Sequence, residues 1–135
     1  MAQKFLGVDY GAKRVGVALS DDGGIMAFPK LVLQNNRELV SRIAEICRNE
    51  SVSAVVLGKS TDYGGEDNPV MKKISDFKRS LEKETGLSVY LEPEYLSSAQ
   101  AERIQGKNQS LDASAAAIIL QSFLDKRDKR KNLSS

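Results

Sequence analysis

The run SAVVLGK at 53–59 is the strongest single constraint on the fold. Ala54 to Leu57 are all apolar, with two valines at the centre and a glycine closing the run. That is the pattern of a short strand buried on both faces, not of a half-solvated one. Helical segments lie on either side of it in the chain. Before it, NNRELVSRIAEICRNES repeats Leu39, Ile43, Ile46 and Cys47 at helical spacing, with Asn35 or Asn36 as the N-cap. After it, residues 69–85 carry Pro69 near the first turn and Val70, Ile74, Phe77 and Leu81 on one face, and Gly86 ends the helix.

Three further strands precede these elements. KFLGVDY (4–10) and RVGVALS (14–20) are separated by Gly11 and Ala12, compatible with a tight hairpin. DDGG at 21–24 is a turn signal, with Asp21 and Asp22 read as turn residues, and IMAFPKLVLQ (25–34) follows as a third strand. Pro29 donates no backbone hydrogen bond, so this strand belongs at a sheet edge or at a bulge. LSVYLEPE (87–94) is the last strand. Residues 97–105 read as a short helix, 106–109 as a loop and 111–126 as a final helix with an alanine-rich apolar face. The order βββαβαβαα predicts an α/β protein: a five-stranded mixed sheet, three antiparallel strands with βαβ-type additions, flanked by helices. The 135 residues suit one domain, expected over 1–126, with a basic and flexible tail at 127–135.

Composition removes several kinds of chemistry. There is no histidine, which excludes His-based general acid–base catalysis and zinc sites built on His. Cys47 is the only cysteine, so no intramolecular disulfide forms, and its place in the helical pattern makes it a packed thiol. MAQKFLGVDYG does not read as a signal peptide and no run approaches membrane-spanning length, so a cytoplasmic protein with no membrane partner is expected. The net charge of +2 implies no particular partner by itself; the local basic segments, Lys13–Arg14 and the C-terminal DKRDKRKNLSS, matter more.

What remains for chemistry is a set of acids. Asp9 closes the first strand between two apolar runs, Glu94 lies just past the last strand, and Asp112 lies in the first turn of the last helix after Ser110. Strands 1 and 4, if parallel, bring their C-terminal ends to one edge, where ligands of open α/β sheets bind. Three converging carboxylates need a compensating cation, and oxygen-only ligands suit Mg²⁺ or Mn²⁺. A pair of such ions can activate water and stabilise a leaving oxygen in phosphodiester cleavage. Taken singly, Asp112 also reads as an acid favoured by the helix dipole, Glu94 as a solvated loop acid and Asp9 as a turn cap. Glu92 stands two residues before Glu94 on the same strand face and is a reserve candidate.

GVDYGAKRVGVAL (7–19) resembles the opening D-x-G-x-K-x-x-G-V-A signature of the YqgF (RuvX) proteins, RuvC-like nucleases of the ribonuclease H superfamily. Three further segments agree in order. VVLGKSTDYGGEDNP resembles that family's strand and polar loop, EPEYLSSAQAE its Asp-Glu-Arg-Leu-Ser/Thr-Ser/Thr segment, and LDASAAAIILQSFL its Asp-x-x-Ala-Ala-x-x-Ile-Leu helix. The resemblance implies a ribonuclease H-like fold and a metal-dependent nuclease that trims the precursor of small-subunit ribosomal RNA. It also implies a Holliday-junction resolvase as the alternative. Its catalytic and metal-binding acids map onto Asp9, Glu94 and Asp112. Two positions depart from the pattern: Tyr95 replaces an Arg, and Gly58-Lys59-Ser60 replaces Gly-Leu-Pro. Losing the Arg removes a bidentate phosphate clamp, for which Lys59 can substitute only as a point charge.

Lys13, Arg14, Lys59 and Arg103 are the candidate nucleic-acid contacts, and Gly11 allows close approach of backbone or phosphate. Tyr63 and Tyr95 are candidates for base stacking, and the loop 60–68, with two adjacent glycines, for closing over substrate. The expected partner is nucleic acid, structured RNA or branched DNA; a homodimer is left open. Two other readings stand beside the nuclease. D-x-G-x-x-x-x-G-V also resembles a phosphate loop of actin-like kinases, although those need two such domains. A nuclease fold kept only for binding nucleic acid is the other.

Overall fold

A computed structural model of the chain describes residues 3–11, 13–59, 69–93 and 111–133. Five strands form one sheet: β1 (Phe5–Asp9), β2 (Arg14–Ser20), β3 (Ala27–Gln34), β4 (Ala54–Lys59) and β5 (Ser88–Pro93). The helices among the described residues are α1 (Leu39–Asn49), α2 (Pro69–Thr85) and α3 (Leu111–Leu133). The strand order is β3-β2-β1-β4-β5. β1 pairs antiparallel with β2 and parallel with β4, and β4 pairs parallel with β5. The expected mixed sheet, a meander extended by βαβ units, is therefore what forms. The short helix expected at 97–105 and the loop 60–68 lie outside the described residues.

β4 sits between β1 and β5, and Val55, Val56 and Leu57 are fully buried. Alternation sends their side chains into two separate cores. Val55 and Leu57 join Leu6, Val8, Val15 and Val17 beneath Leu39, Ile43 and Cys47 of α1 and Ile74, Phe77 and Leu81 of α2. Val56 joins Phe5, Ala18 and Ala54 beneath Ala116, Ile119, Leu120 and Leu124 of α3. The second core is built from small residues on the sheet side, which lets one helix lie close.

β3 forms the sheet edge, and its register against β2 shifts between Val17 and Ala18, opposite Leu31 and Pro29. Both positions expected for Pro29, an edge and a bulge, thus occur together. Gly86 ends α2 with φ +70°, a left-handed conformation open to glycine, and its N–H donates to the Glu82 carbonyl at 2.9 Å. In the DDGG turn Asp21 Oδ1 accepts from Ile25 N–H at 2.8 Å and Met26 N–H at 3.2 Å, and these bonds hold its carboxyl below the usual pKa.

Two helix ends differ from the sequence expectation. α1 begins at Leu39 with Glu38 at the N-cap and no side-chain cap, not at Asn35 or Asn36. Asn36 Oδ1 instead accepts from Glu38 N–H at 2.9 Å in a preceding turn, and Asn35 is drawn elsewhere. α3 runs on to Leu133, beyond the expected end at 126. The added stretch holds no Gly or Pro, and its Lys and Arg residues favour the negative C-terminal end of a helix.

Candidate active site

Asp9 is the last residue of β1, half-buried, on the sheet face that also carries Phe5 and Gly7. That face lies under α3, because Phe5 packs in the α3 core. Asp9 pairs with Gly16 across β2. On the other side Val8 is level with Leu57, so one step further sets Asp9 level with Gly58. The positions directly level with Asp9 on the two neighbouring strands are therefore both glycines. In the same row Gly58 pairs with Glu92 of β5, so the two acids share a face two strand spacings apart, about 10 Å.

The loop after Asp9 is held tightly. A Cβ on Gly11 would stand 2.4 Å from the Arg14 carbonyl oxygen, so no other residue fits there without moving the backbone. Asn35, at the end of β3, donates through Nδ2 to the Gly11 carbonyl at 2.7 Å and through its backbone N–H to the Lys13 carbonyl at 2.9 Å. Sequence reasoning treated Asn35 as a helix cap and missed this clasp; nothing in the sequence separates the two uses of an Asn after a strand. On the opposite face Tyr10 packs against Phe77 of α2 with ring centroids 4.8 Å apart.

α3 crosses this face antiparallel to β1. Phe5 meets Phe123 and Arg127, whereas Gly7, two residues further along β1, meets Ala116 and Leu120. One more step of two strand residues, about 6.6 Å, reaches Asp9. One more helical turn back from Ala116, four residues or about 6 Å, reaches the backbone of residue 112. Helix and strand therefore advance in step toward the same sheet edge.

Lys13 and Arg14 are exposed at the start of β2, and Lys59 is the last residue of β4. Glu94, Arg103, Tyr63 and Tyr95 lie outside the described residues. Of Asp112, only the helical backbone is described. Among the described residues no group of three His, Cys, Asp or Glu could hold a metal ion. Glu92, the reserve acid, is 4% exposed and engaged by α3: Lys126 Nζ lies 2.8 Å from Oε1 and 3.2 Å from Oε2. The nearer contact lies outside hydrogen-bond geometry, so it is an ion contact only.

The family model described as "RuvX: Holliday junction resolvase" matches residues 3–126. The chain belongs to the RuvX family. Curated RuvX relatives agree over nearly their whole length. A protein of Nitratidesulfovibrio vulgaris named "Putative pre-16S rRNA nuclease" is 36% identical, covering 95% of this chain and 97% of that protein. One of the same name from Maridesulfovibrio salexigens is 38% identical, covering 90% and 97%. Among solved structures, Thermus thermophilus RuvC in complex with a Holliday junction substrate superposes with a TM-score of 0.63 at 18% identity, covering 93% of this chain and 95% of that one. The fowlpox virus resolvase with Holliday junction DNA gives 0.60 at 14%, covering 92% and 98%. These two similarities confirm the RuvC-like ribonuclease H fold for the RuvX chain. Among the described residues no helix is long and apolar enough to cross a membrane.

Proposed function

We propose that this RuvX chain is a metal-dependent nuclease that hydrolyses phosphodiester bonds in the precursor of small-subunit ribosomal RNA in the cytoplasm. The observation that carries the reading is Asp9: a half-buried acid at the C-terminal end of a central strand, flanked by Gly16 and Gly58. The names of the relatives, pre-16S rRNA nucleases, support this substrate.

In this reading Asp9, Glu94 and Asp112 are the catalytic acids and hold Mg²⁺ or Mn²⁺. The fit rests on chemistry and space. The donors are carboxylates, as hard divalent cations prefer, and the residues level with Asp9 on β2 and β4 are glycines. When bound, one or two such ions supply water activation and charge for the leaving oxygen. Asp9 fixes the origin of the site because β1 is paired on both sides. In this reading Asp112, in the first turn of α3, and Glu94, next in sequence after β5, complete the set. Gly11 lets a phosphate come close to backbone, and Lys13, Arg14, Lys59 and Arg103 hold phosphates of the substrate strand.

A second reading, resolution of branched DNA, is favoured by the family description and the two junction complexes. The experiment measures cleavage of a ribosomal RNA precursor and of a four-way DNA junction, with Mg²⁺ or Mn²⁺ and with EDTA, for wild type and Asp9→Asn. RNA cleavage that needs metal and is lost in Asp9→Asn supports the first reading. Cleavage confined to the junction supports the second. Activity surviving in Asp9→Asn removes that residue from the site.

A further inference from the structure

Away from Asp9, β5 and the C-terminal half of α3 enclose a cavity of about 620 Å³. Three rings form one wall. Tyr90 of β5 stacks on Phe123 of α3 with centroids 5.4 Å apart and planes 24° apart, and Phe123 meets Phe5 edge-on at 5.8 Å. Tyr90 remains 45% exposed, so much of this stack faces solvent. Two cations stand beside it. Lys126 neutralises the buried Glu92. Arg127 lies 5.0 Å above the Phe5 ring and donates to Gln3 Oε1, so its partners among the described residues are uncharged.

We propose that this cavity is an auxiliary site for a single nucleic-acid strand, with a base stacked on Tyr90 and a neighbouring phosphate at Arg127. The proposal rests on the nuclease reading for its ligand class. Exposed rings stack on any unpaired base, and a cation with no acid partner attracts a backbone phosphate. An unpaired strand fits better than a duplex, because a base must leave its stack to reach a ring set between a strand edge and a helix.

The test is equilibrium binding of the full chain, in EDTA, to a fluorescent single-stranded oligonucleotide and to its duplex. Tyr90→Leu is expected to weaken the single strand by about fivefold or more while leaving the duplex unchanged. Arg127→Gln is expected to lower the slope of log affinity against log salt by about one. Unchanged binding in both variants, or equal losses for single strand and duplex, overturns the proposal. Photocrosslinking of a 4-thiouridine oligonucleotide to the wild type needs no substitution. Adducts on the peptides bearing Tyr90 or Phe123 support the site, and their absence overturns it. If Tyr90→Leu weakens binding but the wild type cleaves nothing, the nuclease reading falls and the pocket stands. If the wild type cleaves and both variants bind normally, the pocket falls and the nuclease stands.

Discussion

Gly7 of β1 lies so close to Ala116 of α3 that a Cβ at position 7 would stand 2.9 Å from the Ala116 carbonyl oxygen and 2.7 Å from Leu120 Cβ. The obstacle is backbone on one side, so no rotamer change relieves it; the helix itself must move. In the proposed site Asp112, one turn before Ala116 on α3, acts together with Asp9 of β1, so a shift of the helix over the strand would disturb that pair. Gly7→Ala is therefore expected to cost about 1–3 kcal/mol by overpacking. It should also reduce metal-dependent cleavage more than the loss of folded protein accounts for. Thermal melts and cleavage rates, compared at a temperature where both proteins are folded, check this.

Asn35 offers a gentler perturbation of the same edge. Its side chain donates to the Gly11 carbonyl at 2.7 Å, so it acts on the site only through the backbone of the loop after Asp9. Asn35→Ala leaves the Gly11 carbonyl without that donor, and the expected cost is about 1 kcal/mol. The loop after Asp9 should loosen, so KM for nucleic acid is expected to rise, while Asn35→Asp, which cannot donate, should mimic Ala. Steady-state kinetics on both variants separates this from a plain stability loss.

The sheet was readable because its signals are local. SAVVLGK announces a doubly buried strand within seven residues, and Pro29 and Gly86 mark an edge and a helix stop by their own backbone chemistry. Asp9 was readable for the same reason, as an acid between two apolar runs. What escaped depends on pairs distant in sequence. Asn35 meets Gly11 across 24 positions and Lys126 meets Glu92 across 34, and neither pairing leaves a periodic trace. The α3 extension to Leu133 was missed because a run of charges is equally typical of a frayed end.

The Glu92–Lys126 contact yields an energetic prediction. Glu92 is 4% exposed on its side chain and Lys126 is 50% exposed, so only the acid depends fully on its partner. Lys126→Met strands a buried carboxylate and is expected to cost about 3 kcal/mol, near the low end for breaking a buried pair. Glu92→Gln in that background should recover much of the loss, giving a coupling of at least about 1 kcal/mol in the double-mutant cycle. Chemical denaturation of the four proteins measures it. A coupling near zero would mean that water, not Lys126, solvates Glu92.

Cys47 gives a test of the α1 core that is independent of any activity. The thiol is buried against the sheet, and burial pushes its pKa from 9.0 up to about 11. The thiolate is the reactive form, so at pH 7 the native protein holds about one thiolate in ten thousand, against about one in a hundred when unfolded. Alkylation by iodoacetamide should therefore be at least about a hundredfold slower in the native state and become rapid in denaturant. The sign of the pH effect follows from the same shift. A raised pKa means that the folded state holds its proton longer, so this contribution to stability is complete below pH 9.0 and is lost as pH rises toward 11. The informative quantity is the difference between wild type and Cys47→Ala, in which every other contribution to the pH dependence cancels. The denaturation midpoint of the wild type should fall faster between pH 9 and 11 than that of the variant, and parallel curves would show that the thiol is not held in an apolar environment.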